Sequence, residues 1–295
     1  MKTYLECIPC FFRQALEASS LAGADDVTRK KIIDEVASEL PAFPLEASPP
    51  EMGRIIHGIV KKHTGKSDPY LEIKRKSNVF ALKLYDKFKE KAERSKDSLL
   101  AAVEMAIAGN VIDFGVKNSV NIEKELDRIL REEGRAIKRE SERLFEFDSF
   151  RKNLECCKDL LYLADNCGET VFDRILIEEM VKMGISVDYA VKGSPIINDA
   201  LVEDAEFCGI DKVARVISSG SDAPGTVACR CSEEFLGKLK NSCMVISKGQ
   251  GNFEALSSRP PREIFFLFMA KCPVVVKDIG CDLGDTLLLK RGKKI

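Results

Sequence analysis

The chain has 295 residues, of which 45% are hydrophobic and 32% charged, an ordinary balance for a globular protein. This length is enough for two domains, or one large one, with a sizeable core. Lys and Arg total 46 and Asp and Glu total 47, and the net charge of -1 argues against a nucleic-acid partner, which needs a basic surface. The sequence has no run of about 18 apolar residues, which argues against a membrane span. The first ten residues lack an apolar signal core, so we expect a cytoplasmic protein.

Residues 1–150 show helical periodicity, and we predict an all-helical domain over this range. The first helix would end at Gly23. Asp26 is placed to cap a second helix. The apolar side chains on the inward face of this second helix would be Val27, Ile33, Val36 and Leu40.

Later helices are predicted in the same half of the chain. A third would end at Gly65, and a fourth would run over 72–93. The segment 99–108 is nearly all apolar, so its helix should be central. Charged residues alternate with apolar ones over 122–137, which indicates one or two outer helices.

Residues 151–295 alternate between short apolar runs and helical patterns. This alternation predicts an α/β domain with a mostly parallel, Rossmann-like sheet flanked by helices. A helix is predicted over 197–208, whereas the period does not decide between strand and helix at 274–276. The predicted strands are 160–164, 185–191, 214–218, 243–247 and 264–268.

Polar residues and glycines follow three of these strands. In open α/β sheets ligands bind beyond the carboxyl ends of the strands, so these residues are candidates for a site. After the first strand come Asp165, Asn166, Gly168 and Glu169. After the second come Lys192 and Asp199, and the fourth leads into Lys248, Gly249, Gly251 and Asn252.

The chemistry of these residues favours a phosphoryl site. Two carboxylates and an amide supply hard oxygen ligands, which suit Mg or Mn better than a thiolate zinc site. Two lysines and a glycine loop suit an anion. Each piece also has a plain structural explanation: Asp165 as a helix cap, Asp199 on a solvated helix face, and the glycines as a turn. Convergence at three strand ends favours the functional interpretation.

Several short motifs occur in an order that is specific as a set. They are Tyr4-Leu5-Glu6-Cys7-Ile8-Pro9-Cys10, Asp68-Pro69-Tyr70, Gly109-Asn110-Val111-Ile112-Asp113, Asp165-Asn166-Cys167-Gly168-Glu169, Asn198-Asp199, Lys248-Gly249-Gln250-Gly251-Asn252 and Lys271-Cys272. In these motifs the chain resembles the metal-dependent damage-control phosphatases, most closely their single-domain archaeal and bacterial branch. The resemblance covers nearly the whole chain.

The resemblance implies a helical domain on an α/β core and hydrolysis of a small phosphometabolite, either a sugar phosphate or a damaged phosphorylated cofactor. It implies a divalent metal, Mg, Mn, Co or Ni, held by Asp165, Asn166 and Asp199. It places Lys248 on the phosphate and brings Asn110, from the helical domain, to the same site. Gln250 departs from branches that carry an acidic residue there, so substrate contacts at this position are not carried over.

We hypothesise a mechanism in which water attacks phosphorus with assistance from the metal. Lys248 and the amides of 249–251 would stabilise the transition-state charge, and Glu169 or Asp199 would orient the water. Lys192 would help to hold the phosphate, or its stem would only cover apolar surface. The sequence leaves open an attack by a carboxylate in place of water.

Two other functional classes stay open. The glycine loop of 248–251 is compatible with an S-adenosylmethionine-dependent methyltransferase, although a third glycine is missing. Alternatively, the Cys7–Cys10 and Cys229–Cys231 pairs would hold a metal in a non-catalytic thiol module. We expect most of the eleven cysteines to be buried free thiols, and His57 to lie on the surface.

Overall fold

The computed structural model describes residues 1–109 and 143–292. These residues form eleven α-helices and six strands. The helices are α1 (Ile8–Leu21), α2 (Asp26–Glu39), α3 (Pro49–Thr64), α4 (Leu71–Glu93), α5 (Ser98–Ala108), α6 (Phe147–Glu155), α7 (Glu169–Lys182), α8 (Val202–Phe207), α9 (Glu233–Asn241), α10 (Gln250–Leu256) and α11 (Pro273–Ile279). The strands are β1 (Asp159–Leu163), β2 (Ser186–Val191), β3 (Arg215–Ser218), β4 (Met244–Lys248), β5 (Ile264–Met269) and β6 (Thr286–Arg291).

The six strands form one sheet in the order β3-β2-β1-β4-β5-β6. The first five are parallel, whereas β6 pairs antiparallel with β5. In β1, Leu163 is in register with Ala190 of β2 and Ser247 of β4. The chain therefore leaves β1 in one direction for β2 and returns on the other side for β4, which creates a crevice at the carboxyl ends of β1 and β4.

Both faces of the sheet are covered, which explains why its strands are apolar runs. Leu160 and Tyr162 of β1 face the core formed with α4, α5, α6 and α7. Leu161 and Leu163 point to the opposite face, where α1, α2, α3, α9 and α10 pack. This alternation follows from the two-residue period of a strand.

The predicted α/β architecture is confirmed. The predicted division at residue 150 stays a prediction, since helices from residues 1–109 pack on both faces of the sheet. The central position predicted for 99–108 is also confirmed, because nearly all side chains of α5 are buried. The outer helices predicted over 122–137 lie outside the described residues.

Local details of several elements differ from the predictions. Asp25, not Asp26, caps α2, and its carboxylate accepts a hydrogen bond of 2.8 Å from the Thr28 N–H. The same helix buries Ile32 and Val36, whereas Val27 is exposed. The helix predicted over 197–208 is only the short α8, because Ile197 has a φ of 45°, outside the right-handed helical region.

The sequence pattern does not determine the secondary structure of three further regions. Residues 274–276 are helical and belong to α11. The edge strand β6 and the helix α6 were not predicted from the sequence. Within the described part of the chain, no helix combines the length and the apolar character that crossing a bilayer would require.

Candidate active site

The predicted polar residues meet at the carboxyl ends of β1, β2 and β4. Asp165 follows β1 by two residues, Lys192 directly follows β2, and Lys248 is the last residue of β4. Asp199 lies in the turn between β2 and α8 and not in a helix. These loops surround the crevice that the reversal of strand order creates.

Backbone hydrogen bonds join the loop after β1 to the loop after β2. The Ala200 N–H donates to the Asp165 carbonyl at 2.9 Å, and the Cys167 N–H donates to the Asn198 carbonyl at 2.9 Å. Asn166 and Asp199 thereby form an isolated antiparallel bridge. The backbone itself therefore brings together the three residues predicted to hold a metal.

Side chains add a second layer of contacts in this cluster. The Asn166 amide donates to Oδ2 of Asp165 and to Oε1 of Glu169, at 2.9 Å in both cases. Glu169 is the first residue of α7 and is buried. Two buried carboxyl groups are thus bridged by one amide.

Burial and neighbouring carboxyl groups raise the pKa values of Asp165 and Asp199. The pKa of the Asp165 carboxyl is well above its ordinary value, because of burial first and of the charges of Glu169 and Asp199 second. Burial also raises the pKa of Asp199, although Lys192 opposes this effect. Carboxyl groups clustered in a crevice are typical of functional sites, and a bound cation would relieve their mutual repulsion.

The hydrogen bonding of the Asp199 carboxylate also indicates a ligand site. Its Oδ2 is buried and accepts no well-aligned hydrogen bond from the residues that the structure describes. Lys192 Nζ lies 3.4 Å from this oxygen and donates instead to the Gly225 carbonyl at 2.5 Å. A buried carboxylate oxygen is costly unless it is well hydrogen-bonded, so an oxygen with only this long contact to Lys192 is suited to a ligand.

Lys248 is completely buried, and two acidic residues of α7 accompany it. Its Nζ lies 2.7 Å from Oδ1 of Asp173 and 3.3 Å from Oε2 of Glu169. Burial opposes the charge, but Asp173 and Glu169 outweigh it and raise the pKa of Lys248. The lysine is therefore held as a cation at the end of β4.

Asp173 is a residue of the site that sequence reasoning missed. In addition to Lys248, it accepts hydrogen bonds of 2.8 Å from the hydroxyls of Tyr162 and Tyr189. Its signal was an acidic residue one turn after Glu169, next to Phe172 on a buried face of α7. The pattern of polar residues after strands does not include Asp173, because it lies within a helix.

The glycine loop after β4 packs against the acidic cluster. Gly249 has a φ of 79°, which favours glycine, and its N–H donates to the Leu267 carbonyl. That amide is therefore engaged within the sheet, in contrast to the predicted role of the 249–251 amides toward a phosphate. Gly251 lies in the first turn of α10.

The structure describes the contacts of Asn252 but does not describe Asn110. The Asn252 amide donates to the carbonyls of Ala164 and Lys248, and its oxygen accepts from the Thr226 hydroxyl, so it joins β1 to β4. Its role as a candidate site residue, which we expect to be a contact with substrate, stays a prediction. Asn110 lies outside the described residues, although Gly109 before it approaches Phe172 of α7.

The cysteines are arranged differently from the predicted thiol module. Seven of the eleven free thiols are exposed or partly exposed, so the expectation that most are buried was wrong. Cys7 and Cys10 line a cavity of about 310 Å³ together with Cys272, whereas Cys229 lines another. The described residues contain no group of three or more His, Cys, Asp or Glu side chains arranged to hold a metal ion.

His57 is also placed differently from the prediction. It is buried, and its ring lies edge-on to Tyr70 with centroids 5.9 Å apart. Among the described residues its Nε2 has no hydrogen-bond partner.

Comparisons with known proteins agree with this fold. The family model for the damage-control phosphatase ARMT1-like domain matches residues 3–287. The chain therefore belongs to the ARMT1-like damage-control phosphatase family.

Individual relatives cover nearly the whole chain. An uncharacterized protein of Methanocaldococcus jannaschii is 37% identical, with 97% of this chain and 94% of the relative aligned. A damage-control phosphatase of Pyrococcus horikoshii is 35% identical over 100% of both chains, and one of Archaeoglobus fulgidus is 31% identical over 97% and 98%. The crystal structure of the Pyrococcus protein, described as a DUF89 family protein, superposes with a TM-score of 0.86 over 99% of this chain and 100% of that one, at 33% identity.

Proposed function

We propose that this protein is a metal-dependent phosphatase that hydrolyses a small phosphomonoester, either a sugar phosphate or a damaged phosphorylated cofactor. Membership of the damage-control phosphatase family supports a phosphatase role. The observation that carries the proposal is the backbone bridge between Asn166 and Asp199, which brings Asp165, Asn166 and Asp199 together. Two buried lysines accompany them, Lys192 after β2 and Lys248 at the end of β4.

The donor set fits a hard divalent cation such as Mg, Mn, Co or Ni. Two carboxylates and an amide oxygen are suitable ligands for such a cation. Because one of the three ligands would be an amide, this set differs from a group of three His, Cys, Asp or Glu side chains. The raised pKa values of Asp165 and Asp199, together with the buried Oδ2 of Asp199, whose contact with Lys192 is a long one of 3.4 Å, support a cation there. When bound, the metal would supply Lewis-acid polarisation of a phosphoryl oxygen.

The protein's own residues would then bind and orient the reactants. Lys248 and Lys192 present positive charge from the β4 and β2 sides of the crevice, where it would balance the charge on the equatorial phosphoryl oxygens. Asp173 fixes the Lys248 ammonium group, and Glu169 lies within reach of both Lys248 and Asn166. Glu169 or Asp199 would orient the attacking water and accept its proton.

Phosphate release from p-nitrophenyl phosphate and a panel of sugar phosphates tests this function. The protein would be stripped of metal and then supplied singly with Mg, Mn, Co or Ni. Activity restored in the wild type and lost in Asp165→Asn and Asp199→Asn would support the proposed site. Asp211→Asn is the matched control, because this carboxylate is exposed and precedes the amino end of β3, at the edge of the sheet opposite the carboxyl ends of the strands.

Turnover of the aspartate variants, together with two binding measurements, distinguishes the phosphatase from the methyltransferase and from the thiol module. Turnover that survives intact in both aspartate variants would contradict the metal assignment. Binding of S-adenosylmethionine without any phosphate release would favour methyl transfer. Zinc or iron that copurifies and is lost after Cys7→Ser and Cys10→Ser would favour the thiol module.

A further inference from the structure

Helix α4 carries a buried polar pair that lies outside the acidic cluster. Lys74 and Asn78 are one turn apart, and each is only 1% exposed. Lys74 Nζ lies 3.0 Å from Oδ2 of Asp68 and 3.3 Å from Oδ2 of Asp204. A lysine is almost never buried to this extent without such partners, so this pair is a built feature and not a solvated helix face.

Asn78 connects this ion pair to the loop after β1. Its Nδ2 donates to Oδ1 of Asp204 at 3.0 Å, and its Oδ1 accepts from the Gly168 N–H at 2.7 Å. Gly168 has a φ of 81° and precedes the first residue of α7. Its N–H therefore lies outside the helix, and Asn78 supplies the acceptor that a buried N–H requires.

Asp204 reaches the loop after β2 in the same way. Its Oδ2 accepts from the Leu201 N–H at 3.1 Å, which caps α8. Leu201 is two residues after Asp199, and Gly168 is two residues after Asn166. One network on α4 and α8 thus contacts the two bridged loops from outside the crevice.

We propose that Asn78, supported by Asp204 and Lys74, is a positioning residue that fixes the loop carrying Asn166 and Glu169 relative to Asp199. The expected effect of Asn78 on metal affinity and turnover rests on the proposed function. Its expected effect on the conformation of the loop after β1 does not. Outer-shell partners of metal ligands typically change affinity or activity by about 10- to 100-fold when removed. A residue that only stabilised the fold would change the melting temperature and leave the folded site intact.

The test compares Asn78→Ala and Asn78→Asp with the wild type in three measurements. These are hydrogen exchange of the peptide covering 163–172 without metal, titration with Mn²⁺, and the melting temperature. We expect faster exchange at this peptide below the melting transition, and about 10- to 100-fold weaker Mn²⁺ binding and lower kcat. KM for p-nitrophenyl phosphate should change much less, since Asn78 contacts the loop and not the phosphate.

Two further variants sharpen the comparison. Ser77→Ala removes a neighbouring buried hydroxyl of α4 and should keep wild-type exchange at 163–172. The double variant Asn78→Asp/Asp204→Asn exchanges the amide and the carboxylate, so an acceptor remains for the Gly168 N–H. It should recover protection at 163–172 relative to Asn78→Asp alone, in which the carboxylates at positions 78 and 204 repel each other, and it keeps the test decisive where Asn78→Ala fails to fold.

Wild-type exchange and wild-type Mn²⁺ affinity in the folded Asn78 variants would overturn the proposal. Equal changes in Ser77→Ala would overturn it as well, because the effect would then be general to α4. A wild type that binds no Mn²⁺ and releases no phosphate would overturn the proposed function. In that case the exchange measurement still decides whether Asn78 fixes the loop.

Discussion

Gly249 lies so close to Asp165 that a Cβ atom at position 249 would stand 1.9 Å from the aspartate's Oδ2 and 2.1 Å from its Cγ. The glycine loop after β4 and the acidic loop after β1 are thus in direct contact. Gly249 also has φ 79° and ψ 160°, a conformation that is essentially restricted to glycine. The absent side chain is what allows a carboxyl group at this point of the crevice.

The first prediction concerns Gly249→Ala. The methyl group should displace the Asp165 carboxyl and strain the backbone by about 1–3 kcal/mol. We expect phosphatase activity to fall by about 100-fold or more, with a smaller loss of stability. Metal-restored phosphate release and urea unfolding measure the two effects.

Gly58→Ala is the matched control for this variant. Gly58 is in α3, and a Cβ atom there would have no neighbour within 4 Å. Alanine in a helix interior should stabilise the protein by up to about 1 kcal/mol and leave activity unchanged. Wild-type activity in Gly249→Ala would contradict the role given to Asp165.

The second prediction concerns the buried charge of Lys248. Lys248→Met would leave the carboxylates of Asp173 and Glu169 buried without their cation. We expect a loss of about 3–5 kcal/mol in the free energy of unfolding and a loss of activity. Urea unfolding at pH 7 and phosphate release measure these outcomes.

A double variant separates stability from catalysis at this position. Lys248→Met/Asp173→Asn removes one of the unpaired charges. The asparagine oxygen would accept from one of the Tyr162 and Tyr189 hydroxyls, and its amide N–H would donate to the other. Stability should recover in part and activity should not, because the phosphate would still lack its cation. Recovered activity in the double variant would exclude Lys248 from the phosphate site.

The third prediction is a pH dependence caused by His57. Burial lowers the pKa of this imidazole to about 4 in the folded protein, below the ordinary 6.5. Between these values the unfolded chain binds more protons than the folded one, so stability falls as pH decreases from about 6.5 to about 4. The contribution of His57 to this loss should approach about 3 kcal/mol.

The variant His57→Phe isolates this contribution, since it keeps a ring against Tyr70 and removes the titration. Its unfolding free energy should depend less steeply on pH between 6.5 and 4 than that of the wild type. His63→Gln, a change at the other histidine of the chain, controls for general effects on α3. Parallel pH profiles for the wild type and His57→Phe would show that His57 is not the titrating group.

The fourth prediction concerns metal and stability. A cation that binds only the folded state should stabilise the wild type by about 2.7 kcal/mol at 100 times its dissociation constant. We therefore expect Mn²⁺ to raise the melting temperature of the wild type and of Asp211→Asn, but not that of Asp165→Asn or Asp199→Asn. A shift of equal size in all four proteins would place the Mn²⁺ elsewhere.

Much of the architecture could be predicted from the sequence because it depends on local patterns. Apolar runs bounded by turn residues marked the five parallel strands, and their carboxyl ends pointed to Asp165, Asn166 and Lys248. The edge strand β6 could not be predicted in this way, because an edge strand is defined by its pairing with another strand, here β5.

The partners of buried charges were decided only by the tertiary structure. Asp173 reads as one more acidic residue on a helix until Lys248, 75 positions away, is brought within 2.7 Å. Asn78 likewise reads as an ordinary polar residue of α4 until it accepts the Gly168 N–H, 90 positions along the chain. Sequence periodicity reports which residues avoid water, since that depends on each side chain alone. The pairing of polar groups within the core depends on which distant segments the fold brings into contact, because a buried donor or charge requires a partner at hydrogen-bond distance.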